Sequence, residues 1–343
     1  MSASDGVRLA ECGWPGGDVP GEQAFGFMPP SPVRRWLEEG LQERLGPLSE
    51  VDALVDGPGV AGRYRVSAGG QIWFVRVSEL WGQPDIETEL LGFLKALDVP
   101  VNAPLAAGLR LRAGETEFRV DIRPFLEGAR AFNGGLEDLV ALGRSLGLCH
   151  RALRDFPGRA RIAELAAIRY AGFARWAGWV GEMAGSGKWQ AFRELEGWAE
   201  EQKEWLLELS TGFSPRFGEV AGAQCVHGEI HRANVLYAGG RAVLLDFEES
   251  VHNHAVPDWD LAYLVQRFCL YDVPAREVLR ERLAAVEAGY GCRLPDLRPM
   301  MRQLAWMAAV ILVELCVQER QVKPAAEYAK FVKLERQARD LEW

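Results

Sequence analysis

The period of the apolar residues changes once along this chain, and that change restricts its fold more than any other feature. From about Val51 to Phe125 the sequence runs in short alternating segments, VDALVDG, RYRVSA, QIWFVRVS, LRLRAG and EFRVDIRPF, with glycine-rich turns between them. This is the pattern of a small antiparallel sheet. After Gly128 the spacing is helical almost to the end, broken by a strand-rich patch around NVLYAGGRAVLLDFEE. The expected architecture is therefore α+β and bilobal: a small N-terminal lobe over residues 31–125 and a large, mostly helical C-terminal lobe over residues 126–343. One helix interrupts the sheet, DIETELLGFLKAL, with Ile86, Leu90, Phe93, Leu94 and Leu97 along one face. Another precedes it, capped by Ser31 and started by Pro32, with Trp36, Leu37, Leu41 and Leu45 at helical spacing. Residues 1–30 are rich in glycine and proline without a period and read as an irregular arm.

Charge and cysteine usage limit the partners. The balance of 39 basic against 48 acidic residues gives a formal charge of -9, which argues against a nucleic-acid partner because neutralising phosphates needs a basic surface. Six cysteines are scattered without a C-x-x-C pair, so neither a zinc site nor a disulfide framework is indicated, and a reducing cytoplasm fits. The start of the chain lacks a basic region followed by an apolar run, and the longest apolar stretch, Leu304 to Val317, is short for a bilayer and contains Glu314. A soluble protein without a membrane partner is expected.

Gly57, Gly59 and Gly62 fit G-x-G-x-x-G. The pattern is weak alone, and an ordinary tight turn explains it as well. Its context is two strands rather than a strand and a helix, the arrangement that lets backbone N–H groups lie over nucleotide phosphates. In QIWFVRV a period of two places Arg76 with Ile72 and Phe74 on a predominantly apolar face, where an unpaired charge is costly. Either its stem extends to solvent, or an anionic partner relieves it, with Glu87 and Glu89 of the following helix as candidates and Glu87 nearer the apolar flank.

The stretch VHGEIHRANVLY carries the chemistry. His227, Gly228 and Glu229 are followed at a fixed interval by Asn234, and then by Asp246 at the end of a short apolar run. Phosphoryl transfer needs such a set: an amide and a carboxylate to hold magnesium against the phosphates, and a second carboxylate to orient an acceptor hydroxyl and take its proton.

With these motifs the chain resembles the aminoglycoside phosphotransferase and choline kinase-like group, whose H-G-D-x-H-x-x-N followed by a hydrophobic strand and D-[FW] stands here as HGEIHRAN and LLDFEE. The likeness runs over roughly residues 50–270, through GPGVAGRYRV, FVRV, ETELLGFL, IRPFLEG, LGLCHRAL and DWDLAYL. It implies a protein kinase-like fold with ATP and Mg2+ between the lobes, and an alcohol-group phosphotransferase acting on a small-molecule hydroxyl acceptor. By the same likeness Glu229, Asn234 and Asp246 are catalytic, the last two as metal ligands. Arg76 replaces the usual lysine beside Glu87, the segment Asp121 to Phe125, with Ile122 and Arg123, presents backbone to adenine, and Asp260, His227 and His231 support the catalytic loop.

Glu229 departs from the group's aspartate. Its extra methylene displaces the carboxylate by about 1 Å, a shift that can cost ~10²-fold. Three readings follow: a loop shifted to accommodate it in an active enzyme, an acceptor seated farther from the base, or a catalytically silent nucleotide-binding module serving a protein partner. Retention of the whole magnesium-nucleotide set favours activity. A protein-directed kinase is less supported, because no A-P-E-like end follows Asp246. Glu248 is read as a solvated loop side chain, His252-Asn253-His254 as a surface loop, and His150 as a packed helix histidine. Acceptor choice is assigned to the helices between about Arg159 and Leu209 and to those at the C-terminus. In the first of these, tryptophans alongside glutamates could hold an amine, although core packing and solvated faces explain both more simply.

Overall fold

Strands β1 (Leu48–Asp56), β2 (Gly62–Ala68), β3 (Gln71–Glu79), β4 (Leu109–Ala113) and β5 (Thr116–Pro124) form one antiparallel sheet in the order β1-β2-β3-β5-β4. The computed structural model describes residues 32–56, 62–79, 84–105, 109–113, 116–187, 193–272, 274–319 and 325–342. Gly57, Gly59, Ser31 and the N-terminal arm lie outside the described residues. Alternation sorts the sheet into two unlike faces. Val66, Val75, Val77, Phe118, Val120 and Ile122 are buried together with Leu41 of helix α1 (Pro32–Leu45), so α1 covers the apolar face.

The other face is charged. Arg76, Arg119, Asp121 and Arg123 lie on it, with Arg76 directly across from Asp121 in the ladder. The sequence expectation of an apolar face around Arg76 is therefore corrected: Ile72 and Phe74 flank it, but its neighbours on β5 are ionic. Helix α2 (Pro84–Ala96) sends Ile86, Leu90, Leu91 and Leu94 into the large core of the helical lobe. Leu91 takes the buried place foreseen for Leu97, which is 52% exposed.

The second lobe contains α3 (Leu136–Arg154), α4 (Arg159–Ser186), α5 (Arg193–Glu201), α6 (Lys203–Gly212), α7 (Asp258–Leu264), α8 (Arg276–Tyr290), α9 (Arg298–Glu319) and α10 (Ala325–Asp340). Small pairs complete it: β6 (Gln224–Cys225) with β9 (His254–Ala255), and β7 (Val235–Ala238) with β8 (Arg241–Leu244). Helices α3 and α8 approach so closely that a Cβ on Gly289 would collide with the Val140 carbonyl oxygen, which brings His150 against Tyr290.

Part of the aromatic run is structural. Tyr170, Phe173, Trp198 and Trp205 are core residues, and Trp205 Nε1 donates to Glu335 Oε2 at 3.2 Å. Trp189 and the side chains of Glu194 and Glu196 fall outside the described residues. Helix α9 corrects a length argument. The apolar stretch sits in a helix of 22 residues, so length and composition alone would let it cross a membrane. Burial decides the matter: Met301, Leu304, Ala305, Trp306, Val310 and Val313 are buried within the core.

Candidate active site

The β7–β8 hairpin sets the geometry. Val235 pairs with Leu244, and the Leu245 N–H donates to the Asn234 carbonyl at 2.9 Å, so Asn234 and Asp246 stand at the adjoining ends of one ribbon. Asp246 adopts φ 57, a left-handed conformation uncommon outside glycine, which ends the ladder and turns the chain at the carboxylate. Asn234 Nδ2 donates to the Glu229 carbonyl at 3.1 Å, leaving Oδ1 as the amide's acceptor atom.

The preceding loop is held by backbone bonds to one buried carboxylate. Asp260, fully buried on α7, accepts from His227 N at 2.7 Å, from Gly228 N at 2.8 Å and from His150 Nε2 at 2.9 Å. Burial pushes this carboxyl upward, but the His150 hydrogen bond and charge outweigh it and hold it below the usual range. His150 Nδ1 lies 2.8 Å from Tyr290 Oη, so the brace reaches the end of α8. His227 Nε2 donates to Leu245 O at 2.8 Å and Nδ1 accepts from Glu229 N at 3.3 Å, which uses both ring nitrogens within the loop. Burial keeps His227 below its ordinary pKa, so the ring stays neutral. At Gly228, φ is +94, and a Cβ would lie 2.6 Å from Asn253 Nδ2 and 3.0 Å from Glu249 Cβ. Only glycine fits there.

Glu229 leans on His231: Oε1 lies 3.6 Å from Nε2, while His231 Nδ1 accepts the Ala233 N–H at 3.2 Å. Burial pushes the Glu229 carboxyl up, but His231 outweighs it and leaves the group below the ordinary carboxylate range. The longer side chain is thus an ionised carboxylate at the mouth of the loop, 37% exposed.

Arg76 enters from the sheet. Its Nη1 is 3.3 Å from Asp246 Oδ1 and its Nη2 is 3.0 Å from Glu248 Oε2. Burial lowers the guanidinium pKa, yet Asp246 and Glu248 outweigh it, so the net direction is upward. These contacts correct two expectations. Arg76 does not pair with Glu87, and Glu248 is no solvated loop residue, being 15% exposed and ion-paired. Glu87 instead binds Arg119 Nη1 at 2.9 Å and Arg123 Nη2 at 3.3 Å, while Arg119 Nε also meets Asp121 at 2.7 Å. Asp121, Ile122 and Arg123 are likewise committed elsewhere. Asp121 and Arg123 sit in the ladder opposite Arg76 and Phe74, and the Ile122 carbonyl accepts from Leu105 N at 2.7 Å. Beyond Pro124 the connector is fastened to β7 by reciprocal Arg130–Tyr237 backbone bonds of 3.0 and 2.8 Å.

Asn253 is also not in a surface loop. It is 1% exposed, and its Nδ2 donates to Glu249 O at 2.9 Å. Sequence reasoning missed the reach of His150 to Asp260 and the whole Arg119–Asp121–Arg123 layer. The charged alternation in EFRVDIRPF was the available signal for the latter.

The donor set suits magnesium: an amide oxygen and a carboxylate are hard ligands, offered from adjoining ends of one ribbon.

The profile of the phosphotransferase enzyme family (APH) matches residues 57–304, and the chain belongs to that family. A search of curated proteins found no match. Among solved structures, spectinomycin phosphotransferase in complex with ADP and spectinomycin aligns with TM-score 0.58 and 13% identity, covering 90% of this chain and 98% of that one. Choline kinase from Streptococcus pneumoniae aligns with TM-score 0.53 and 15% identity over 88% and 99% of the two chains. An aminoglycoside phosphotransferase from Alicyclobacillus acidocaldarius gives 0.52 and 15% over 86% and 93%. The fold is protein kinase-like, with an antiparallel-sheet N-lobe and a mostly helical C-lobe.

Proposed function

We propose that this chain is an ATP-dependent, magnesium-requiring phosphotransferase that phosphorylates a hydroxyl group of a small molecule in the cytoplasm. The observation that carries this reading is the convergence of Asn234, Asp246, Glu229 and Arg76 from the catalytic loop, the ribbon end and the sheet. Solved enzymes of the same fold that hold ADP support a nucleotide between the lobes. Asn234 Oδ1 and Asp246 would hold magnesium, which when bound neutralises and orients phosphate oxygens. Arg76, already drawn to Asp246, is placed to contact the phosphates from the sheet side.

Glu229 orients the acceptor hydroxyl and accepts its proton as the acceptor oxygen bonds to the γ-phosphorus. The bond from that phosphorus to the bridging oxygen breaks, and ADP leaves with the electron pair. Its depressed pKa makes Glu229 a weak base, suited to the late proton transfer of a loose transition state. His231, with Nε2 3.6 Å from Oε1, steadies the carboxylate.

The experiment follows ADP release with aminoglycosides, amino alcohols, sugars and hydroxy acids, using wild type, Glu229→Asp and Glu229→Gln. Acceptor-dependent, magnesium-dependent release that falls about 10²- to 10⁴-fold in Glu229→Gln is expected. Equal activity of Glu229→Gln removes Glu229 as the base, and nucleotide binding without release under any acceptor returns the chain to the silent-module reading.

A further inference from the structure

Helix α7 runs on into a wider turn, Val265–Cys269, in which the Leu270 N–H donates to the carbonyl five residues back, Val265 O, at 3.0 Å. Such π turns are rare and gather at functional sites. A helix end leaves its last carbonyls without donors of its own. Here the Arg267 carbonyl accepts from Arg232 Nε of the catalytic loop at 3.1 Å. The start of the same rod carries Asp260, which accepts from His227 N and Gly228 N. One continuous helical segment therefore grips the catalytic loop at both ends, at points about 10 Å apart along its axis.

Arg232 is held on its flat face as well. Its guanidinium carbon lies 3.7 Å from the centre of the Tyr271 ring and 5.4 Å from that of Phe132. Nη2 is buried without a hydrogen-bond partner, and Arg232 forms no ion pair among the described residues, so the ring faces are its electrostatic compensation. Tyr271 is fixed in turn. Arg282, which donates to Cys269 O at 2.8 Å and to Asp272 Oδ2 at 2.9 Å, lies over the same ring, and a Cβ on Gly134 would come within 2.9 Å of the hydroxyl. A planar guanidinium can donate along its edge and stack on its face at once, which an ammonium cannot.

Arg232 also opens the three-residue turn Arg232–Asn234, too short to hold itself. His231 supplies two of its bonds, with Nδ1 accepting from Ala233 N at 3.2 Å and its carbonyl from Asn234 N at 3.0 Å. The turn ends on the amide assigned to magnesium, where a displacement of about 1 Å can cost ~10²-fold. We propose that Arg232 is a positioning residue for the metal site: tied to Arg267 O and laid on Tyr271, it fixes the turn that presents Asn234 Oδ1. The proposal rests on the phosphotransferase reading above and adds to it the residue that sets the direction of the amide ligand.

The test titrates Mn2+ into the full chain loaded with ADP, followed by electron paramagnetic resonance, for wild type, Arg232→Met, Arg232→Lys, Tyr271→Leu and the double variant Arg232→Met/Tyr271→Leu. ADP binding without metal and the magnesium dependence of ADP release are measured beside it. Arg232→Met is expected to weaken Mn2+ binding about tenfold and to leave metal-free ADP binding within about twofold. Arg232→Lys, which keeps the charge but not the plane, should recover only part of that loss. Tyr271→Leu should weaken the metal about threefold, and the double variant should be no worse than Arg232→Met, because both substitutions break one contact. Unchanged Mn2+ affinity in Arg232→Met overturns the proposal, as does full recovery in Arg232→Lys or an additive double variant. An equal loss of metal-free ADP binding also overturns it, because that marks a merely structural role. If Arg232→Met fails to fold, Arg232→Lys and Tyr271→Leu decide by the same readout. A wild type that binds Mn2+ and ADP but transfers phosphate to no acceptor overturns the phosphotransferase reading, while the metal titration still decides on Arg232. A wild type that takes up no Mn2+ overturns both.

Discussion

The two rims of the cleft are built on different principles. On the helical side, Asp260 is satisfied by two backbone N–H groups and the His150 ring, so the catalytic loop hangs from bonds that no ligand can compete for. On the sheet side, Arg76, Arg119 and Arg123 are ion-paired with the carboxylates of Asp246, Glu248, Glu87 and Asp121. Those partners are side chains, and at Arg76 a phosphate can take their place. The contrast teaches where preorganisation ends: the loop that carries the proposed base is anchored through its backbone, whereas Arg76, the cation proposed for a phosphate, is held by the side chain of Asp246.

The contrast can be broken or sharpened by substitution. Asp246→Ala removes both the proposed metal ligand and an Arg76 partner, and phosphotransfer should fall by at least about 10³-fold in kcat/KM, read as ADP release. Asp260→Ala leaves buried N–H groups unpaired and should cost about 3 kcal/mol of unfolding free energy, measured in urea. Acid should act through the same group. Its folded pKa is depressed, so its contribution is fully present above the ordinary aspartate value near ~4 and is lost as pH falls through the lower folded value. A stability curve that is flat through that acid window would contradict the brace. Glu87→Gln should cost about 2 kcal/mol, because two buried arginines keep hydrogen bonds but lose a charge, and should raise KM for ATP more than it lowers kcat. Tyr290→Phe, at the far end of the brace, should cost about 1 kcal/mol and leave KM for ATP unchanged within twofold.

Much of the fold is legible because it is written locally. Alternation placed the five strands of the sheet, and the helical face of DIETELLGFLKAL identified Ile86, Leu90 and Leu94 as buried. The spacing in HGEIHRAN and the apolar run before Asp246 likewise announce a ribbon with polar ends. Long-range pairing is where sequence reasoning fails. His150 and Asp260 are 110 residues apart, and Arg76 and Asp246 are 170 apart; no local period encodes either meeting. The partner of Arg76 was misjudged for a physical reason. Glu87 has the right spacing on α2, but Arg119 and Arg123 stand on the same charged face and claim it first.

The allocation of greasy residues between the lobes has a mechanical consequence. Helix α2 shares its apolar side with the lower body, and the sheet shares its own with α1, so the boundary between them is lined by ions. Prising that boundary apart would wet groups that water solvates readily and leave both oily interiors sealed. Opening to admit or release a nucleotide is thereby uncoupled from any tendency of the chain to melt.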